Sequence, residues 1–320
     1  MTDDGGAIMR LRQWKKVLAL VLVALLLVMA AGCKKEAQED EGQDQVAEGY
    51  SEDSRTVPVM VLTHEERVEL LQEAQEVNEL AYAWLCVPGT NISYPVIFDP
   101  ANDNAYWENR TLEGEVVQQV GGDWADTVIF AGYETVWNQK TANYRTVAGE
   151  SVKLPDSKNI VLFGHNWTNI SKPYLIGDDG TDVFTMFAQL VSFDDFIFSQ
   201  EFQYIYLSTL EEEYIWQVFS VMYTEANWYG TLGLDYFQAN PATEEFKTML
   251  SEMRQRSIYN FDIEVSEKDR ILTLSTCTNT YPSAGNRQRF VVVGKLLEGG
   301  ETDDSLAEVT RNEDVKNPLY

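Results

Sequence analysis

The sequence predicts a mainly β fold with added helices, and three observations carry that reading. Short apolar runs rich in Val, Ile, Tyr and Phe recur between clusters of turn-forming residues, the pattern of buried and half-buried strands. Two of these runs, Ile271-Leu272-Thr273-Leu274-Ser275-Thr276-Cys277 and Asn159-Ile160-Val161-Leu162-Phe163-Gly164-His165, end on side chains able to do chemistry. Two amphipathic stretches, one ahead of the strands and one late among them, supply helices.

The chain has 320 residues, enough for one domain of roughly 200 to 250 residues plus appendages. A net charge of −27 argues against non-specific nucleic-acid binding and against a polybasic membrane patch. Three cysteines without a CxxC pair or a His/Cys cluster give no support for a metal site, and no cofactor is expected.

Arg10, Arg12, Lys15 and Lys16 precede an unbroken apolar run over residues 17–31, the layout of a signal or anchor segment. The run is short against the ~20 residues of a spanning helix. Small residues then lead to a thiol in Ala30-Ala31-Gly32-Cys33. Two readings of residues 1–33 stay open: cleavage with lipidation of Cys33, as in bacterial lipoproteins, or an uncleaved single-span anchor. Basic residues before the run keep the N-terminus inside in both, so the rest is exported. Residues 34–60 are dense in Glu, Asp, Gln and Gly, and form an acidic disordered linker. Residues 61–300 make the globular domain, and 301–320 an acidic tail expected to fray.

Within the domain, Thr63-His64-Glu65-Glu66 is a capping box. Apolar residues from Leu70 to Trp84 then recur at helical spacing, so a helix is expected over 63–84. His64 reads as a solvated first-turn residue. Strands follow over 85–87 and 92–98 around the Pro88-Gly89 turn, with Cys86 as a core residue. Residues 127–132 read as a strand and 133–155 as an insertion. A short helix is expected over 182–190. Tyr204-Ile205-Tyr206-Leu207 and Tyr214-Ile215-Trp216-Gln217-Val218-Phe219 form a hairpin whose aromatic strands suit a barrel wall. Asn240-Pro241 starts a helix that buries Phe246, Met249, Leu250 and Met253. Residues 262–265 and 270–276 are the next strands.

The chemistry concentrates at the strand ends. Cys277 faces a polar turn with Arg287 and Arg289 beyond it, a setting that favours a thiolate. His165, one of two histidines, follows Gly164 at another strand end. A lone cysteine at a strand end is more often a small buried hydrophobe. The histidine and arginine in matching positions turn the set into a candidate Cys/His site.

Thr273-Leu274-Ser275-Thr276-Cys277, Gly164-His165-Asn166 and Arg289-Phe290-Val291-Val292-Val293-Gly294-Lys295 resemble, in order, the nucleophile, histidine and arginine blocks of the sortases. Trp84-Leu85-Cys86-Val87-Pro88-Gly89 through Tyr94-Pro95-Val96 is similar to the first strand of the class B group. The helix before the Cys277 strand also fits class B. The resemblance covers residues 62–297. Trp167 departs from it where the family commonly has Met, and Asn279 stands near an acidic position of some relatives.

The resemblance implies a closed, mostly antiparallel sortase-type β-barrel, with an N-terminal helix and a helix in the connection before the Cys strand. It implies transpeptidation at the outer face of the plasma membrane of a Gram-positive-type bacterium. Cys277 is the implied nucleophile, His165 the general acid, and Arg289 the group that stabilises the carbonyl oxygen. Arg289 is preferred to Arg287 because it directly precedes the apolar strand. Thr276, Ser275, Trp167 and Tyr106 are the implied substrate-binding residues. The implied partners are secreted proteins carrying a C-terminal sorting signal and a peptidoglycan-precursor amine, with the enzyme a monomer held to the membrane by its N-terminus. Two alternatives remain at this stage: a surface lipoprotein that has lost catalysis and binds peptides, and a thiol hydrolase that releases surface proteins.

Overall fold

The computed structural model describes residues 62–99, 101–117, 127–132, 157–166, 187–225, 234–278, 280, 288–297 and 306–316. The expectations for residues 1–33 with Cys33, for the linker, for the 133–155 insertion, and for Trp167, Asn279 and Arg287 lie outside these residues. Among the described residues no helix is long and apolar enough to cross a membrane.

The first helix, α1 (His64–Val77), opens on the expected capping box: Thr63 N–H donates to Glu66 Oε2 at 2.7 Å and Glu66 N–H to Thr63 Oγ1 at 3.2 Å. It ends seven residues before position 84, because Asn78 takes an extended conformation. The Asn78 side chain accepts from Leu80 N–H at 3.0 Å and donates to Leu112 O at 2.7 Å. The next stretch is strand β1 (Ala81–Cys86), buried at every position. A strand covered on both faces shows continuous apolarity, which extended the helical spacing too far. The buried face of α1 also includes Arg67. Its guanidinium meets Ser208 Oγ at 2.9 Å, Glu213 and the Leu62 carbonyl, and lies over the Tyr206 ring.

The other barrel strands are β2 (Ser93–Ile97), β3 (Ile129–Ala131), β4 (Asn159–Phe163), β5 (Tyr204–Ser208), β6 (Glu213–Glu225), β8 (Ile271–Cys277) and β9 (Gln288–Leu296). They close in the order β1-β2-β3-β4-β8-β9-β6-β5, so no barrel edge is left unpaired. The pairings are antiparallel except β2 with β3 and β4 with β8. This is the closed, mostly antiparallel barrel that the resemblance implied.

Alternation divides the barrel wall into two faces. Leu272, Leu274, Phe290 and Val292 fill the interior with Ile160 and Leu162. Ile271, Val291 and Val293 point outward into a second cluster. On β6 a register shift between Val218 and Ser220 exchanges the faces, as a bulge does. Helix α4 (Thr243–Arg256) covers this outer cluster with Phe246, Met249, Leu250 and Met253. Burial of side chains of this size contributes about 1.5–3 kcal/mol each.

Several boundaries differ from the sequence reading. The N-cap of α4 is Ala242, whose N–H donates to Glu245 Oε2 at 3.1 Å. Asn240 instead accepts from Lys158 N–H at 3.1 Å. Of the helix expected over 182–190, residues 182–186 lie outside the described set; beyond them a 3₁₀ helix Ala188–Asp194 leads into α3 (Phe196–Glu201). The strand expected over 262–265 is β7 (Tyr259–Phe261), paired with β10 (Val309–Arg311). Residues 306–316 therefore do not fray. Ala307 exchanges two hydrogen bonds with the Gln203 side chain, both 2.9 Å, and Lys316 pairs with Glu252. A backbone partner overrides an acidic composition here.

Candidate active site

Strands β4 and β8 stop at the same end of the barrel. They run parallel with Phe163 level with Ser275, and continuing that register sets His165 level with Cys277. On the other side β9 is antiparallel, with Cys277 opposite Arg289. An imidazole, a thiol and a guanidinium thus occupy one row on neighbouring strands. The row lies on the outer face, beyond the end covered by α4.

Hydrogen bonds carry the register past the last strand residue. Gly164 N–H donates to Ser275 O at 3.2 Å, the Thr276 hydroxyl donates to Gly164 O at 2.8 Å, and Asn166 Nδ2 donates to Cys277 O at 3.0 Å. Thr276 is thus a clasp between the strand ends. Gly164 is required by space: a Cβ there would sit 2.7 Å from the buried Phe187 ring. Phe187 N–H in turn donates to His165 O at 3.0 Å.

His165, Cys277 and Arg289 line one pocket of about 410 Å³. Phe130 and Phe163 supply apolar wall, and Gly164, Ser275 and Thr276 supply strand-end surface. A further wall is α2 (Asn104–Trp107) with its flanks, through Asp103, Asn104, Ala105 and Glu108. The Glu108 carbonyl lies in hydrogen-bond contact with His165 Nε2. That contact fixes the orientation of the imidazole ring.

Burial pulls the His165 pKa below the usual 6.5, and the Arg289 charge adds to this, while the bond to the Glu108 carbonyl opposes both. A neutral imidazole beside a thiol can accept its proton, and as imidazolium can return it. Cys277 is half-buried and Cys86 is buried in the core, and both thiols are free, so no disulfide joins the two. Among the described residues no cluster of His, Cys, Asp and Glu could hold a metal ion.

The structure therefore brings together Cys277, His165, Arg289, Ser275 and Thr276. It does not bring in Tyr106. That ring stands on α2 but is partly exposed, lies 4.0 Å from the Arg110 guanidinium and packs against Trp107, and it does not line the pocket. Sequence reasoning missed Asn104 and Glu108. The Asp103 N-cap of α2 was the available signal, since its carboxylate accepts from Tyr106 N–H at 3.2 Å.

A sortase domain family model matches residues 117–297. The chain belongs to the sortase family. Sortase B of Staphylococcus aureus (strain NCTC 8325 / PS 47) is 23% identical over 292 residues, covering 91% of this chain and 99% of that protein. Sortase B of Listeria monocytogenes serovar 1/2a is 25% identical over 289 residues, covering 88% and 96%. The chain is a class B sortase, a cysteine transpeptidase. The X-ray structure of Clostridium perfringens sortase B superposes with a TM-score of 0.51 at 24% identity, covering 71% of this chain and 99% of that one. A mutant form of the same enzyme gives 0.53 at 24%, covering 73% and 90%. Both share the barrel fold.

Proposed function

We propose that this sortase cleaves the C-terminal sorting signal of secreted proteins after a Thr and joins the new acyl end to a peptidoglycan-precursor amine. The observation that carries the proposal is the row His165–Cys277–Arg289 on one pocket. Cys277 Sγ attacks the Thr carbonyl while His165 takes the thiol proton. Arg289 stabilises the oxygen as negative charge builds on it. The C–N bond breaks, the imidazolium protonates the leaving amine, and a thioacyl-enzyme remains. An acceptor amine then attacks the thioester, His165 takes its proton, and Cys277 is released. Ser275 and the α2 wall flank the bound peptide, and Trp167 follows His165 two positions later in the sequence.

The enzyme acts as a monomer on the outer face of the plasma membrane of a Gram-positive-type bacterium. Residues 1–33 hold it there, through lipidated Cys33 or as a single span. The acidic stretch 34–60 is the tether.

The test uses the full chain with a library of sorting-signal peptides, with and without an amine. The expected result is peptide cleavage that Cys277→Ala abolishes, with an added product that needs the amine. Cleavage indifferent to amine would make the enzyme a hydrolase, and full activity in Cys277→Ala would remove the assignment. Palmitate labelling lost in Cys33→Ser would decide for the lipid anchor, and an intact N-terminus for the single span.

A further inference from the structure

Tyr236 stands behind the pocket and has no part in the steps above. It is fully buried in the connection between β6 and α4. Its hydroxyl lies 2.8 Å from Ser275 Oγ. Ser275 is two residues before Cys277, shares its face of β8 and lines the same pocket. The Tyr236 carbonyl accepts from Asn159 Nδ2 at 2.8 Å, and Asn159 Oδ1 accepts from the Thr273 hydroxyl at 2.7 Å. A chain of polar contacts thus runs from Thr273 through Asn159 and Tyr236 to Ser275, pinning the outer face of the strand that ends on Cys277.

We propose that Tyr236 is a positioning residue: it donates its hydroxyl proton to Ser275 Oγ and so leaves the serine O–H to donate into the pocket, toward a carbonyl of the bound sorting peptide. The direction follows from matching donors to acceptors. Among the described residues Ser275 Oγ is the hydrogen-bond partner of this buried phenol. If the serine were the donor, the phenol proton would be left without an acceptor, which is costly in a buried site. Ser275 has the pocket as a second outlet and the phenol does not. Burial also pushes the Tyr236 pKa up to about 12, so the phenol keeps its proton at working pH. The ring has separate packing: its centroid is 4.3 Å from that of Phe237, which stacks on Phe163 of the pocket wall at 5.5 Å. Tyr236→Phe should keep that packing and remove only the donor.

The role toward substrate rests on the proposed function, and the bond itself does not, so the test has two arms on the full chain. The first measures acylation of Cys277 by the peptide that the wild type cleaves. Tyr236→Phe is expected to lower kcat/KM about tenfold. Ser275→Ala should lose a similar factor, and the double variant no more than Ser275→Ala alone. A wild-type rate in either single variant, or losses that multiply in the double, would overturn the positioning role. The second arm is thermal melting of the same variants, which needs no substrate. Ser275→Ala should lower Tm more than Tyr236→Phe, because it orphans the phenol, and adding Tyr236→Phe to it should recover part of the loss. Additive shifts would overturn the bond. A wild type that forms no adduct on Cys277 would instead overturn the proposed function, leaving the melting arm to decide the bond.

Discussion

Among the described residues two thiols each lie beside an arginine, and they have opposite settings. Cys86 on β1 is 6% exposed and adjoins Arg67, itself 2% exposed. Burial pushes the Cys86 thiol up, with Arg67 pulling it partly back. Cys277 ends β8 half-buried on a pocket, opposite Arg289 and level with His165. A guanidinium near sulfur is common to both. What separates them is access and a proton acceptor: the Cys86 region has a core wall where the Cys277 region has an open cavity and an imidazole. Arg67 is also held by Glu213 and Ser208, so its charge serves the docking of α1 on the barrel.

The contrast gives its largest expected effect at the sulfurs. Cys277→Ala should lower peptide cleavage by at least on the order of 10⁴-fold with an unchanged Tm. Cys86→Ala should keep its specific activity and lose about 1 kcal/mol of stability from lost packing, read by denaturant unfolding. The arginines should divide the same way. Arg289→Gln is expected to cost about 10²–10³-fold in kcat/KM with little change in Tm. Arg67→Met should leave kcat/KM within about twofold while destabilising by about 1–3 kcal/mol.

A smaller effect is expected at Gly164, where an added Cβ meets the Phe187 ring. Gly164→Ala should displace His165 and cost about tenfold in kcat/KM, measured with the same peptide. The smallest is a shift in pH dependence. In the proposed reaction His165 accepts the thiol proton as a neutral imidazole, and its pKa is lowered by burial and by Arg289. Activity should therefore fall only as pH drops through a value below 6.5. Arg289→Gln removes one lowering influence, so the acid limb of its residual activity should move upward. An unmoved limb would separate the two residues electrostatically.

The barrel and the strand-end positions of His165, Cys277 and Arg289 on one pocket were legible in the sequence because each rests on local pattern. The runs 271–277 and 159–165 are apolar, turn-bounded and end on reactive groups. The aromatic hairpin and the face of α4 read directly. Elements and contacts with no local apolar pattern of their own were not legible. β10 is a strand because β7 is there to receive it, and nothing in its acidic surroundings announces that. Arg67 was hidden because a charged residue rarely marks a buried face. Tyr236 meets Ser275 across 39 positions, and Glu108 contributes to the site with its carbonyl, a group that every residue type carries.

Acyl transfer through Cys277 leaves a covalent adduct, and mapping that adduct on the full-length enzyme decides whether the route is used. The enzyme is incubated with a cleavable sorting peptide, quenched in acid, digested and analysed by mass spectrometry. The expected result is a peptide acyl group on Cys277, none on Cys86, and loss of the adduct when an amine is added. An adduct on Cys86, or turnover without any adduct on Cys277, would contradict it.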